Sequence, residues 1–297
     1  VNANIKWEST TTKDIGLDAV LLGGKISFTG DYFTRNTSDI LLSLPVANSF
    51  GLNAPVINAG SVLNKGVELA AGYHLRQHNF SFDVEGNISF ITNKITDLAG
   101  TGPFPNGSTI KGVGLPINSL FGWVSEGLFQ SQAEIDKHAS QAGMGGPVAP
   151  GDIKYKDVNG DGVIDGKDRQ YLGTYFPKTT YGVNISARYK GFDAVIFLQG
   201  TADVNSFVSG RILGSLYDKD GDPTSIWLNR WTTTNTNASF PRVWNSNSQN
   251  DPSATPSSFW VRNSSYVRLK NVQVGYTFSD GFFARKGIKL RIFYTGQ

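Results

Sequence analysis

Residues Phe80 to Phe90 read FSFDVEGNISF, which sets Phe80, Phe82, Val84, Gly86, Ile88 and Phe90 on one side of an extended chain and Ser81, Asp83, Glu85, Asn87 and Ser89 on the other. A period of two held this long predicts a β-strand with one apolar and one polar face. The pattern returns at Lys25–Phe33 (KISFTGDYF), Gly66–His74 (GVELAAGYH), Tyr181–Lys190 (YGVNISARYK) and Asn271–Ser279 (NVQVGYTFS), within a total of about nine strand candidates. Short turn signals join neighbours: Gly23-Gly24, Gln77-His78-Asn79 and Lys190-Gly191. Such connections predict antiparallel hairpins. Much longer excursions run over Ala99–Leu120, Gln130–Lys178 and Ser206–Ser258.

Short turns at one end and long loops at the other are the asymmetry of outer-membrane barrels. Several candidates also reach the roughly 9–11 residues of a tilted membrane-crossing strand, where a soluble sandwich uses about 5–6. The expected fold is therefore all-β, an antiparallel transmembrane barrel with long extracellular loops. A soluble sandwich produces the same alternation by burying its apolar face, so periodicity leaves both architectures open. Within the long loops, Ser131 is placed to cap a short helix over SQAEIDKH, with Glu134 three residues on as in a capping box. Asn235–Ser258 is polar and turn-rich and is expected to be loop.

Composition supports strands over helices: 12% aromatic, 17% charged and 34 Gly in 297 residues. There is no Cys, which removes disulfides, cysteine metal clusters and thiol nucleophiles. A net charge of +3 with no concentrated basic run gives no nucleic-acid footprint. No apolar run approaches the roughly 18 residues of a spanning helix, and VNANIKWEST has neither the charged start nor the apolar core of a signal peptide. G-x-S-x-G, H-E-x-x-H and G-x-x-x-x-G-K are also missing. His74, His78 and His138 lack metal-ligand spacing.

One stretch spaces its carboxylates by rule. In DVNGDGVIDGKD, Asp157, Asn159 and Asp161 hold positions one, three and five of an EF-hand-type loop, Gly162 the sixth, the Val163 carbonyl the seventh, Asp165 the ninth and Asp168 the twelfth. This all-oxygen set suits calcium, with magnesium as the alternative. The preceding GDIKYKD alternates like a strand, and the following GKDRQYLG has length for only one or two helical turns. A moving helix pair is thus not expected, and the loop reads as a staple. Trp227, Arg230, Trp231, Arg242 and Trp244, with Trp260, form a second group in or beside the last long loop. They are candidate ligand or partner contacts, by stacking on sugar rings or by meeting another protein; packing of the loop itself is the competing explanation. Tyr32, Phe33, Tyr73, Phe90, Tyr189, Tyr276 and Tyr294 are expected on the lipid side, and Asp31, Glu68, Asp83, Glu85 and Arg188 on the lumen side.

Four ordered segments carry a family resemblance: NANIKWESTTTKDIGLD, GSVLNKGVEL from Gly60, GDIKYKDVNGDGVIDGKDRQYLG from Gly151 and SSFWVRNSSYVRLKNVQVGYTFS from Ser257. Together they resemble the C-terminal barrel portion of a SusC-type (SusC/RagA-like) TonB-dependent outer-membrane transporter of the Bacteroidetes kind. That implies a barrel of about 22 strands around an N-terminal plug, in the outer membrane of a Gram-negative bacterium. It further implies import of glycans or oligosaccharides, less often peptides, driven through TonB contacted by the N-terminal region. The implied partner is a SusD-like surface lipoprotein over the extracellular mouth, and Asp157–Asp168 becomes an extracellular structural metal loop. Residues 1–297 are expected to be one portion of such a barrel, without its plug or final strands, since KLRIFYTGQ stops inside an alternating strand. The alternatives are a secreted β-sandwich carbohydrate-binding or adhesin module with a calcium-stapled loop and, third, a glycoside hydrolase with paired carboxylates.

Overall fold

The computed structural model describes residues 5–43, 51, 55–210, 224–244, 248–278 and 287–297. In chain order, β1 (Ser9–Leu21), β2 (Ile26–Ser43), β3 (Val56–Gln77) and β4 (Phe80–Asp97) are long strands. Short strands follow: β5 (Phe104–Asn106), β6 (Thr109–Lys111), β7 (Ser119–Trp123) and β8 (Ser125–Leu128). After helix α1 (Gln132–Lys137) come β9 (Ile153–Tyr155) and β10 (Arg169–Thr174). Long strands resume with β11 (Thr179–Tyr189) and β12 (Phe192–Ala202), and the chain closes with β13 (Asn205–Phe207), β14 (Val261–Asn263), β15 (Tyr266–Phe278) and β16 (Leu290–Gly296). These elements belong to two units: Val1–Gly100, Phe176–Val204 and Ser264–Gln297 form one, Thr101–Tyr175 and Asn205–Asn263 the other.

The first unit is a single antiparallel sheet of eight strands, ordered β1-β2-β3-β4-β11-β12-β15-β16. Its hairpin turns are short at one end of the strands, where Lys190 and Gly191 form a two-residue connection with φ of 44° and 88°. Both central residues of this type I′ geometry need positive φ, and that twist matches the flanking strands. The two longest connections, from β4 to β11 and from β12 to β15, leave from the opposite end.

Pairing register sorts the side chains. Tracing opposed residues across the sheet puts Ile15, Leu17, Phe28, Tyr32, Leu69, Tyr73, Phe82, Val84, Ile88, Phe90, Val183, Ile185, Ile196, Leu198, Val272, Val274, Tyr276, Ile292 and Tyr294 on one face. Asp18, Asp31, Glu68, His74, Asp83, Glu85, Asn184, Arg188, Asp193, Gln273 and Arg291 lie on the other. The apolar face is uncovered: Ile15 is 73% exposed, Ile292 60% and Tyr294 79%. A sandwich would have buried these groups, which rules out that architecture. An apolar face of this extent left open is the condition of a barrel wall in lipid. From Phe80 to Phe90 the face runs about 33 Å along β4, or about 25 Å once the strand tilts by some 40°, the height of a membrane-facing band.

One aromatic assignment is corrected. Tyr32 pairs with Val67 on the apolar face, but Phe33 pairs with Gly66 on the polar face, where its ring covers the glycine. Adjacent strand residues point to opposite sides, so the two rings cannot share lipid. Strand β15 also begins earlier than expected, and its pairing with β12 slips at Lys270, between Leu269 and Asn271. The extra residue is a β-bulge, and it reconciles the odd-numbered Val267 and Leu269 with the even-numbered Val272, Val274 and Tyr276 on one face.

The face assignment predicts a contrast between neighbours. Val84→Arg puts a guanidinium into the apolar face, at a cost of about 2–4 kcal/mol near a bilayer midplane. Glu85→Arg, one position on, keeps its charge on the polar side. The heat-modifiable, folded fraction of the whole protein is expected to fall for the first and hold for the second. Equal behaviour of the two would refute the assignment.

The second unit has its own core of Ile153, Tyr155, Ile164, Trp227, Trp244 and Trp260. Around it lie a four-stranded sheet, β10-β7-β6-β5, and two strand pairs, β8-β9 and β13-β14. Ser131 caps α1 by accepting from the Glu134 amide at 3.2 Å. After Asp165 the chain makes only one 3-10 turn, Gly166–Asp168, and then enters β10, shorter than the one or two helical turns anticipated.

Candidate functional site

The carboxylate loop is closed by its own amides. Asp157 accepts from Gly160 N at 2.7 Å and from Gly162 N at 2.8 Å, one on each oxygen. Asn159 accepts from Asp161 N, Asp161 from Val163 N, and Asp165 from Lys167 N. Asp168, fully buried, accepts from Val158 N at 2.9 Å and Asp165 N at 2.8 Å. Burial pushes the Asp168 carboxyl up, but the amides of Asp165, Val158 and Asn159 with nearby Lys167 outweigh it and hold the pKa below the usual range. Lys167 Nζ stands 3.8 Å from Asp161 and 3.6 Å from Asp165.

No group of three His, Cys, Asp or Glu side chains is gathered as a metal cage among the described residues. The donor set does suit a hard cation, because each carboxylate oxygen has two lone pairs and the loop amides take one. Asp157, the Asn159 amide oxygen, Asp161, Asp165 and the Val163 carbonyl are the groups with capacity left, and Val163 is 47% exposed. Asp168 serves the loop itself by ordering three amides.

The tryptophan and arginine group is organised around a residue that the sequence pattern did not single out. Asp152, with no exposed surface, receives Arg242 Nε at 2.6 Å and Nη2 at 3.0 Å. It also accepts from Gln249 Nε2 and Asn250 Nδ2, each at 2.7 Å, and from Ala149 N at 2.8 Å. Five donors on one carboxylate make a buried ion pair with its remaining lone pairs satisfied. Asn250 then accepts from Ile153 N, and Gln249 O accepts from the buried Tyr155 hydroxyl.

Trp227, Trp231 and Trp244 are 3%, 8% and 4% exposed, so their rings offer no open face to a sugar as placed. Trp227 meets Trp244 edge-on at 5.3 Å, and Trp231 Nε1 donates to Gln130. Arg230 lies half-buried and donates to the Trp227 carbonyl. The Nε1 atoms of Trp227, Trp244 and Trp260 have no hydrogen-bond partner among the described residues.

On the sheet's polar face, Asp31, Glu68, Asp83, Glu85 and Arg188 share one side as expected. Asp83 bridges His74 Nδ1 at 2.9 Å and Arg76 at 2.7 Å, while His74 Nε2 lies 3.3 Å from Ser27. Asp193 pairs with Arg291 in the space above Gly275; a Cβ there would stand 2.6 Å from the Arg291 guanidinium and 2.9 Å from Asp193. The short-turn end of this face holds a concavity of about 1070 Å³, reached by Arg76, Ser186, Arg188, Asp193, Gln273 and Arg291.

Residues 1–293 match the family described as TonB dependent receptor-like, beta-barrel. TonB-dependent receptor P3 of Formosa agariphila is 30% identical over 308 residues, covering 100% of the chain and 30% of that relative. TonB-dependent receptor SusC of Bacteroides thetaiotaomicron is 28% identical over 306 residues, covering 100% of the chain and 29% of that relative. The chain thus spans about a third of the length of these relatives. Among solved structures, the RagAB peptide importer in its open-open state superposes with a TM-score of 0.75 at 21% identity, covering 100% of the chain and 32% of the importer chain, which is a likeness of fold.

Proposed function

The chain belongs to the TonB-dependent receptor-like β-barrel family, and from that premise we propose that it is a wall segment, from the C-terminal part, of a SusC-like outer-membrane importer. The observation that carries this reading is the eight-stranded sheet with an open apolar face, a polar face and all short turns at one end. The family is one of receptors and transporters. Its proposed task is nutrient import powered through TonB, with a SusD-like lipoprotein as lid, glycans or oligosaccharides as first cargo class and peptides as second. The polar face supplies what hydrated cargo, or a domain filling the barrel, can contact: hydroxyls, carboxamides and paired charges, with few apolar rings. In the native Gram-negative host, disrupting the whole receptor is expected to abolish uptake of a subset from a panel of fluorescent oligosaccharides and short peptides. Disrupting TonB should abolish the same subset. Undiminished uptake of every probe would remove the import reading, and the class of probe lost assigns the cargo.

The Asp157–Asp168 loop is proposed as a structural calcium site on the loop unit, held by Asp157, Asn159, Asp161, Asp165 and the Val163 carbonyl, with Asp168 ordering the backbone beneath. Bound calcium would neutralise a loop that otherwise relies on Lys167. Adding calcium at 100 times its dissociation constant to chelator-treated receptor should stabilise the loop unit by about 2.7 kcal/mol. This is read as protection of residues 157–168 from hydrogen exchange; Asp157→Asn with Asp161→Asn should erase it. Protection indifferent to calcium would show that the loop's own amides suffice.

A further inference from the structure

Register places Arg76, Ser81, Arg188, Asp193 and Gly275 in one row across the polar face, on β3, β4, β11, β12 and β15. Ser81 and Gly275 are short, as is Ser186 in the next row, while the arginines are long. The concavity of about 1070 Å³ lies over these short side chains, at the short-turn end. Its charged lining is Arg76, Arg188, Lys190 and Arg291 against Asp193 alone.

The neighbouring carboxylates are already engaged. Asp83 holds His74 and Arg76, and Asp193 gives one oxygen to Nε and the other to Nη2 of Arg291. Arg188 stands directly across from Asp193, where opposite charges ordinarily pair. Arg291 takes that aspartate instead, through a two-pronged contact, with its guanidinium 4.9 Å from the Phe293 ring. Arg188 is left exposed, with no ion pair among the described residues. Two positions on, Lys190 is exposed as well; its ammonium lies 5.3 Å from the Tyr189 ring and meets no carboxylate among the described residues.

Two free cations thus share a concavity whose counter-charge must come from elsewhere. Small-ligand sites run to about 300–1,000 Å³, so a single small anion would leave most of this space empty. A stretch of peptide would fill it. TonB-dependent receptor P3 and SusC extend well beyond the 30% and 29% of their lengths that this chain matches, so a source of such peptide lies within the same kind of polypeptide.

We propose that the concavity seats an acidic segment of the receptor's own polypeptide from outside residues 1–297, with carboxylates on alternate residues held by Arg188 and Lys190. Alternate side chains of an extended segment are about 7 Å apart, the same spacing as the two cations on their own strand. The guanidinium grips a carboxylate through parallel N–H donors, the ammonium as a point charge. A segment on the same polypeptide has a high effective concentration, so contacts that are individually weak beside water suffice to hold it. The seat lies inside the barrel and rests on the reading of the sheet as a barrel wall.

The test is zero-length coupling in the whole receptor, purified in detergent and read by mass spectrometry of its peptides. A carbodiimide activates a carboxylate, the lysine amine displaces it as a urea, and an amide remains, so only groups in contact are joined. Lys154 Nζ, 2.6 Å from Glu134, should couple in every sample and reports that the reaction works. Lys190 is expected to couple to an Asp or Glu outside residues 1–297, and less so in 1 M salt, where the screening length falls to about 3 Å. Arg188→Glu sets a like charge against the segment and should lower that adduct about 10-fold. Arg188→Lys should add a second adduct to the same segment. Arg35→Glu, farther along the same face on β2, should leave the yield as in the parent. With Lys154 and Glu134 joined, a Lys190 adduct to a carboxylate within residues 1–297, to another protein or to none overturns the proposal. So does an adduct that survives Arg188→Glu, or one that falls equally in Arg35→Glu. If Val84→Arg and Glu85→Arg behave alike, the wall reading itself fails; if their contrast holds and Lys190 stays uncoupled, the seat alone is refuted.

Discussion

Arg242→Ala is expected to unfold the loop unit while leaving the strand sheet intact. The guanidinium supplies two of the five donors on Asp152, the only charged ones, and Asp152 has no exposed surface on which water could replace them. Removing one partner of a buried pair leaves an uncompensated charge, at a cost of about 3–5 kcal/mol. Against a typical domain stability of about 5–15 kcal/mol, that is a large share. The loss should spread, because Asn250 and Gln249 both bond Asp152 and also hold the Ile153 amide and the Tyr155 hydroxyl. Hydrogen exchange on the whole receptor should show protection lost at β9 and retained in β4, β11 and β12. Asp152→Asn combined with Arg242→Gln removes both charges and should recover part of the loss, which separates a stranded charge from lost packing. Unchanged protection of β9 in Arg242→Ala would show that the hub is dispensable.

Deleting Lys270 should block assembly of the sheet at β15. The bulge keeps Val267 and Leu269 on the apolar face beside Leu198 and Gly200. Without it, the period-two rule moves both to the polar side and turns Tyr266 and Arg268 outward. An arginine on the lipid face costs about 2–4 kcal/mol at the midplane and less toward the interface, to which the two misplaced apolar side chains add. Lys270→Ala keeps the extra residue and should behave nearly as the parent. The measurement is the fraction of heat-modifiable receptor in outer-membrane extracts; a deletion variant that assembles like Lys270→Ala would show that register here is set elsewhere.

The strand faces were readable before any coordinates, because side-chain direction in an extended chain follows from the backbone itself: alternate residues point to opposite sides whatever lies around them. FSFDVEGNISF, YGVNISARYK and NVQVGYTFS each carried that message alone, and the Lys190-Gly191 turn carried its hairpin. The Asp157–Asp168 spacing was equally local, since its amides and carboxylates lie within a few bonds of each other. Even the bulge had a trace, a change of phase between Leu269 and Val272. Phe33 obeys the same alternation: as the neighbour of Tyr32 it must point to the other face, where it pairs with Gly66. Whether the apolar face met a second sheet or lipid was beyond periodicity, since both partners ask for the same side chains. The hub was beyond it as well: Asp152 is separated by 90 residues from Arg242 and by 98 from Asn250, and nothing local marks an aspartate for partners so distant. Trp227 and Trp244 likewise looked like contacts in a polar loop, and became core once two long connections folded around each other. The row that joins Arg76 to Arg188, and the concavity beside it, exist only across strands, as a product of register. Local geometry wrote the faces and turns into the chain; burial and pairing between distant segments, which depend on everything else being in place, decided what those faces met.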